Sequence, residues 1–163
     1  MPTMMWLMSM VRNLWDEDTD PDIDTALVQD PGQLTKNFHV NEWKCKDGTP
    51  VPREWWVRVK RLALNLEVLR AELGGRPIKI MSGYRPLAYN VKVGGAVSSQ
   101  HIYARAADIK VQGMKAEDVA NAIEGLVRTG GMKIGGLGVY PRKPRWRGWV
   151  HVDIRKAKAR WRG

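Results

Sequence analysis

The chain has 163 residues, of which 44% are hydrophobic, and a formal net charge of +10 at pH 7. This length suits one domain with a sizeable core, and no apolar run approaches the ~20 residues that a membrane-spanning helix needs. The single cysteine, Cys45, excludes an internal disulfide and a four-cysteine zinc site.

The sequence predicts two parts, an N-terminal segment over residues 1–34 and one domain over residues 35–163. The segment opens with a Met-rich apolar stretch that lacks the basic start and small-residue cleavage site of a signal peptide. Seven acidic residues and no basic residue then stand between positions 16 and 30, which is typical of a solvated linker. We therefore expect synthesis in the cytoplasm without a signal peptide.

The domain begins with an irregular segment in which Phe38, Trp43 and Cys45 are expected to pack on the core. Apolar side chains at helical spacing then predict a helix from about Arg53 to Leu73. The elements expected after it are a strand in RPIKIMSG, a loop with one helical turn after Pro86, a strand over residues 105–111, a helix in KAEDVANAIEGLVRTGG, and strands in GGLGVYP and GWVHVDIR. Because strands and helices do not alternate regularly, this order predicts an α+β fold with a small, mainly antiparallel sheet and flanking helices.

The stretch SSQHIYARAADIKV combines His101, in a polar turn, with Asp108, inside a strand that otherwise has the composition of a core. An ionised carboxylate in that position needs a cation or several hydrogen-bond donors. In GWVHVDIR, strand alternation places His151 and Asp153 on one face. If that face meets the 105–111 strand, His101, Asp108 and His151 converge. Two imidazoles with one carboxylate are a common ligand set of catalytic zinc.

The alternative is structural, because Asp108 would also be satisfied by an ion pair with Arg85 or Arg105. The spacing of the residues leaves both interpretations open. The chain has only three histidines, and the third, His39, lies in the irregular segment near Trp43, where a structural role is expected.

Five motifs, in their order along the chain, resemble the zinc D-alanyl-D-alanine carboxypeptidase family, which shares its fold with the Hedgehog signalling domain: SGYRP, SSQH, AADI, GVYP and WVHVDIR. The resemblance covers roughly residues 35–160. The family pattern Ser-x-His-x(2)-Gly-x-Ala-x-Asp is matched at Ser99, His101, Ala106 and Asp108. Ala104 stands where glycine is usual, which predicts a backbone angle that a Cβ can tolerate.

This resemblance implies that His101, Asp108 and His151 bind one Zn²⁺ per chain. It also implies that Arg85 lines the site, acts in catalysis and binds the substrate through its carboxylate or its carbonyl oxygen, since a guanidinium fork suits both tasks. Substrate-binding positions are further expected at Tyr84 and Ser99, with Ser99 also orienting the turn.

The general base is less well defined by the motifs. Many family members place a glutamate three residues before the last histidine ligand, or a second histidine two residues before it, but this chain has Gly148 and Trp149 there. Asp153, which shares a strand face with His151, is therefore the predicted base. Its alternative role is to orient His151 or to pair with Arg155.

The implied function is hydrolysis of peptidoglycan stem peptides, as a D-Ala-D-Ala carboxypeptidase or as an endopeptidase inside the stem. A strongly basic protein is attracted to the anionic wall. We expect a monomer, unless a phage particle carries it, that acts on the wall after release or in a virion, as a phage or prophage endolysin does. Two alternatives stay open: a non-catalytic, zinc-bearing wall-binding or signalling module, and, less favoured, a nucleic-acid-binding protein that uses the basic tail but shows no recognition motif.

Overall fold

The computed structural model describes residues 30–144 and 148–163. The Met-rich start, most of the acidic linker and part of the turn RKPRWR lie outside the described residues, so what the sequence predicts for them stays a prediction. The same holds for the domain boundary after residue 34, although Leu34 already packs partly against the core. No helix of the described ranges is long and apolar enough to cross a bilayer.

The described residues form three α-helices and one five-stranded sheet. The helices are α1 (Trp56–Glu72), α2 (Leu87–Lys92) and α3 (Ala116–Arg128). The strands are β1 (Ile78–Ser82), β2 (Ala106–Val111), β3 (Gly136–Tyr140), β4 (Trp149–Asp153) and β5 (Ala159–Arg162). Their order in the sheet is β1-β2-β4-β3-β5, and every pairing is antiparallel except that of β3 with β5. The predicted α+β class with a mainly antiparallel sheet is confirmed.

The two faces of the sheet carry different kinds of residue because side chains alternate along each strand. Ile109, Val150 and Val152 point into a core shared with the apolar stripes of α1 and α3. Each fully buried aliphatic side chain of this kind contributes about 1.5–3 kcal/mol to folding. The opposite face carries the polar residues of β2 and β4, so the core fixes the positions of the residues that can do chemistry.

The irregular segment before α1 packs on the domain as the sequence predicts. Phe38, Trp43 and Cys45 are all buried, and the Phe38 and Trp43 rings meet edge to face at 5.8 Å. His39 caps a short 3₁₀ helix at Val40–Trp43, where its Nδ1 accepts from the backbone N–H of Asn41. This contact agrees with the structural role expected for the third histidine.

Strand β5 is not predicted by the sequence, since the last predicted strand lies in GWVHVDIR. In the structure it lies parallel to β3 and closes one edge of the sheet. The basic side chains of β5 find acidic partners on α3, since Arg160 pairs with Glu124, and Arg162 with Glu117 at 3.3 Å. Part of the charge of the tail is therefore used inside the fold.

Candidate metal centre

His101 is positioned by the backbone of the SGYRP segment. Its Nδ1 lies 2.6 Å from the carbonyl oxygen of Gly83, and its own carbonyl accepts from the backbone N–H of Arg85 at 3.1 Å. Because a carbonyl can only accept, Nδ1 carries the proton and Nε2 presents a lone pair. Gly83 cannot carry a side chain here, since an added Cβ would lie 2.6 Å from the Cα of Trp43.

The turn that carries His101, a 3₁₀ helix at Gln100–Tyr103, ends at Ala104 in a left-handed conformation with φ 53° and ψ 34°. An L-residue can adopt this small region at a cost of about 1–2 kcal/mol. The backbone at Ala104 therefore accepts a Cβ, as the sequence predicts, but at a cost in stability. The left-handed residue turns the chain, and β2, which carries Asp108, begins two residues later.

His151 is held from its far side by Asp153. The ring Nε2 lies 2.9 Å from Oδ2 of Asp153, and Asp153 is fully buried. Its carboxylate also accepts from Nε and Nη2 of Arg155 at 2.8 and 2.7 Å and from the backbone N–H of Gly136 at 3.1 Å. Burial alone would raise the pKa of Asp153, but the hydrogen bonds from His151 and Arg155 hold that pKa far below its usual range. The ionised carboxylate therefore keeps the proton on Nε2 and leaves Nδ1 of His151 as a lone-pair donor.

Strand register brings the three predicted zinc ligands together, because Asp108 of β2 stands directly opposite His151 of β4. Nε2 of His101 lies 3.2 Å from Nδ1 of His151 and 3.3 Å from Oδ1 of Asp108, and the latter two atoms are 3.0 Å apart. The three side chains are only 3%, 9% and 13% exposed, in the order His101, His151 and Asp108. The predicted convergence is confirmed.

The geometry of this cluster fits one zinc ion. Ligand bonds of about 2.0–2.1 Å in tetrahedral geometry place neighbouring ligand atoms about 3.3 Å apart. Three acceptor atoms with buried lone pairs cannot remain this close without a proton or a cation between them. His101, Asp108 and His151 are thus the residues that would hold Zn²⁺.

Protons and metal compete for this cluster. Burial lowers the pKa of His101, which keeps that ring neutral. Burial would also lower the pKa of His151, but the hydrogen bonds with Asp108 and Asp153 raise it above its ordinary value of 6.5. For Asp108, burial acts to raise the pKa, yet the two histidines hold it far below its usual range. Below this raised pKa, His151 of the metal-free protein therefore carries a second proton, on Nδ1, in addition to the one on Nε2.

This distribution predicts how zinc affinity depends on pH. At and just below pH 6.5, His151 is protonated and His101 is not, so binding of one zinc ion must displace one proton. The zinc affinity should then fall about tenfold for each pH unit of acidification in this window. Calorimetry in buffers of different ionisation enthalpy measures directly the number of protons released when zinc binds. Release of two protons, or of none, would contradict this account.

Arg85 contacts the second oxygen of Asp108. Its Nη2 donates to Oδ2 at 2.8 Å, and its Nε donates to Oγ of Ser82 at 2.9 Å. The ion pair that the sequence allows as an alternative to metal binding is therefore present with Arg85. It is compatible with metal binding, because Asp108 uses Oδ2 for the guanidinium and Oδ1 for the histidines.

A cavity of about 420 Å³ opens beside the cluster and is lined by Asp108 and Arg85 together with Ser82, Tyr89 and Trp149. Arg85 thus lies where a substrate would meet the metal ligands. The position of Trp149 is stabilised by Tyr140, because the two rings stack with their centroids 4.8 Å apart. The arrangement leaves space for a bound molecule beside the metal ligands and places the guanidinium of Arg85 against that space.

Three further residues that the sequence predicts for the site, Asp153, Tyr84 and Ser99, lie outside the lining of this cavity. Asp153 faces Nε2 of His151, the side of the ring opposite Nδ1, and its oxygens are occupied by Arg155 and Gly136. This geometry does not support a general base and favours the orienting role. Tyr84 lies in the core with its ring edge-on to Trp55 at 5.6 Å, so its predicted substrate contact is not supported either. Ser99 begins the turn of His101 through its backbone, and its contact with substrate stays a prediction.

Sequence reasoning misses the residues that support His151 from β3 and β5. The ring of Trp161 lies 5.0 Å from that of His151 and fits over Gly138, where any Cβ would collide with the indole. Gly136 likewise leaves room for the carboxylate of Asp153. Isolated glycines inside GGLGVYP are the signal that was available, because such glycines often mark a close approach.

Comparison with known proteins places this chain beside one family model and one curated relative. A family model described as Peptidase M15 matches residues 33–153, which is well over half of the chain. A curated relative, the zinc D-Ala-D-Ala carboxypeptidase of Streptomyces albus G, is 41% identical over 44 residues. That stretch is 27% of this chain and 17% of the relative, so the similarity covers less than a fifth of the length of that enzyme.

Proposed function

The chain belongs to the peptidase M15 family, and on that premise we propose that it is a zinc-dependent peptidase that hydrolyses peptide bonds in peptidoglycan stem peptides. The observation that carries the proposal is the meeting of three lone-pair atoms, from His101, Asp108 and His151, within 3.0–3.3 Å of one another beside an open cavity. The name of the Streptomyces relative, a zinc D-Ala-D-Ala carboxypeptidase, supports the substrate class.

Each residue of the site has a task in this mechanism. Zinc, when bound, supplies a Lewis acid for the scissile carbonyl and lowers the pKa of a water molecule. Asp153 fixes the tautomer of His151 so that Nδ1 faces the ligand cluster. Arg85, on the wall of the cavity, would bind the carboxylate of the stem peptide or the carbonyl oxygen as it gains negative charge.

A non-catalytic, zinc-bearing wall-binding module is the second candidate. Among the described residues that line the cavity, Asp108 is the sole carboxylate, and no histidine is present to accept a proton from water. Asp108 is engaged with Arg85 and both histidines. This lack of an evident base favours a module that binds peptidoglycan without cutting it.

Digestion of purified peptidoglycan by the zinc-loaded chain separates these candidates. Release of a terminal D-alanine would identify a carboxypeptidase, and new fragments from within the stem would identify an endopeptidase. A chain that binds one zinc ion and sediments with peptidoglycan, yet releases no fragment detectable by mass spectrometry, would overturn the peptidase proposal in favour of the binding module.

We also propose that the protein acts at the cell wall, reaching it after release or as part of a virion. A net charge of +10 supports this location, because it favours approach to an anionic polymer. The proposal is tested by adding the purified protein to a suspension of cell walls and, separately, by expressing it inside cells, with lysis measured in both cases. Activity on neither preparation would contradict it.

A further inference from the structure

The sheet face that carries the metal ligands continues into a row of lysines. Lys110 follows Asp108 by two residues on β2, so both side chains stand on the same face with their Cα atoms about 7 Å apart. Lys79 of β1 is the direct cross-strand partner of Lys110. Lys115 follows shortly after the end of β2.

These three lysines line a second cavity of about 640 Å³ along the β1–β2 edge. Lys110 also belongs to the 420 Å³ cavity beside Asp108 and Arg85. The two cavities therefore adjoin at Lys110, and a chain that enters the metal site can continue along the row of lysines. Pro77, Val111 and Met114 supply apolar surface between the charges.

Within residues 30–144 and 148–163, the lining of the second cavity includes no acidic side chain, and no carboxylate lies within ion-pair distance of the three lysines. Like charges placed directly opposite each other on neighbouring strands destabilise a sheet. The pairing of Lys79 with Lys110 thus costs stability in the free protein, and an anion between the two would remove that cost.

Protection of a sheet edge is the simplest structural explanation for such lysines. β1 is an edge strand, and a charged side chain there discourages pairing with another chain. That explanation suffices for Lys79 alone. It does not extend to Lys110, because β2 is an interior strand paired with β1 on one side and with β4 on the other.

We infer that Lys79, Lys110 and Lys115 form an anion subsite that binds an acidic group of the cell wall close to the peptide bond at the metal site. The inference rests on the proposed function for the identity of the polymer. The shared chemistry is a carboxylate or a phosphate, from an acidic residue of the stem peptide or from a phosphate polymer attached to the wall. Ammonium groups contact either one as point charges.

The test compares Lys79→Gln/Lys110→Gln with Lys36→Gln/Lys158→Gln, a control that removes two exposed charges outside both cavities. Binding of each zinc-loaded protein is measured by co-sedimentation with intact walls and with peptidoglycan stripped of phosphate polymers. We expect about tenfold weaker binding or more for the cavity variant and less than about twofold for the control. Zinc content should be unchanged, and thermal stability should not fall, because a like-charge pair has been removed.

The outcomes separate the possible sources of the anion. Weaker binding to both preparations indicates a carboxylate of the stem peptide, and weaker binding to intact walls alone indicates phosphate. Equal losses in both variants would mean general attraction to the wall and would overturn the subsite, as would no loss. Hydrolysis is scored in parallel, so a chain that cuts no peptide yet shows the selective loss refutes the peptidase proposal and leaves the subsite standing.

Discussion

Replacing His151 by alanine should remove stoichiometric zinc from the protein and abolish the peptidase activity proposed above. His151 supplies one of three ligand atoms, and its ring is fixed between His101 and Trp161 with centroid distances of 5.0 Å to each. Changes to residues outside a ligand set already lower metal affinity by 10–100-fold. We therefore expect loss of a ligand to weaken zinc binding by more than about 100-fold. Metal analysis after dialysis, with peptide release on the same samples, measures both effects.

The matched control is His39→Ala, which removes a histidine outside the cluster. His39 caps a 3₁₀ helix and lies 3.0 Å from Asp30, so this variant should lose about 1 kcal/mol of stability and keep its zinc. Asp108→Asn removes a charged ligand without changing side-chain volume. This second variant tests the ligand set even if His151→Ala does not fold. One zinc ion per chain in His151→Ala or Asp108→Asn would show that the ligand set is wrong.

The Asp153→Asn variant should bind zinc 10–100-fold more weakly than the wild type and recover activity when zinc is in excess. The carboxylate of Asp153 meets His151 at Nε2 and does not line the cavity, so its loss relaxes the orientation of a ligand without removing a group from the cavity. A general base would behave differently, because activity would stay low at full zinc occupancy. Zinc titration followed by hydrolysis rates at saturating zinc distinguishes the two roles.

Arg155→Gln is the companion variant for this prediction. It removes the two side-chain hydrogen bonds that Arg155 donates to Asp153 and leaves the carboxylate facing His151. We expect a smaller loss of zinc affinity than in Asp153→Asn, since the charge beside His151 remains. A wild-type rate for Arg155→Gln together with an inactive, fully zinc-loaded Asp153→Asn would restore Asp153 as the base.

The strand faces that carry His151 and Asp108 could be predicted from the sequence because they depend on local rules, whereas the full ligand set is implied only by the family resemblance. Alternation in WVHVD puts His151 on the face opposite Val150 and Val152, and antiparallel pairing with AADIKV then brings Asp108 to its side. The helix over Trp56–Glu72 and the strand at Ile78–Ser82 likewise follow from periodicity and from the glycines between them. The helix, the strands and the faces of their side chains need only the pattern within one segment, whereas the pairing of β2 with β4 is a property of the whole fold.

The residues that support His151 from β3 and β5 could not be predicted because they come from distant parts of the chain. Strand β5 carries Arg160, Trp161 and Arg162, a sequence with little apolar character, and it is stabilised by partners on α3 and by the space over Gly138. Tyr84 stands next to Arg85 in the chain, yet it packs in the core because the backbone N–H of Tyr84 bonds to the carbonyl of Trp43 and turns its ring toward Trp55. Adjacency in sequence does not show on which side of a segment a side chain lies.

X-ray absorption at the zinc edge of the full chain tests the central claim most directly, because it identifies the ligand atoms without relying on activity. The structure predicts one zinc ion per chain with two imidazole nitrogens, from His101 and His151, and an oxygen of Asp108 among its nearest neighbours at about 2.0–2.2 Å. A spectrum with a sulfur ligand, with a single imidazole or with oxygen ligands alone would contradict the account.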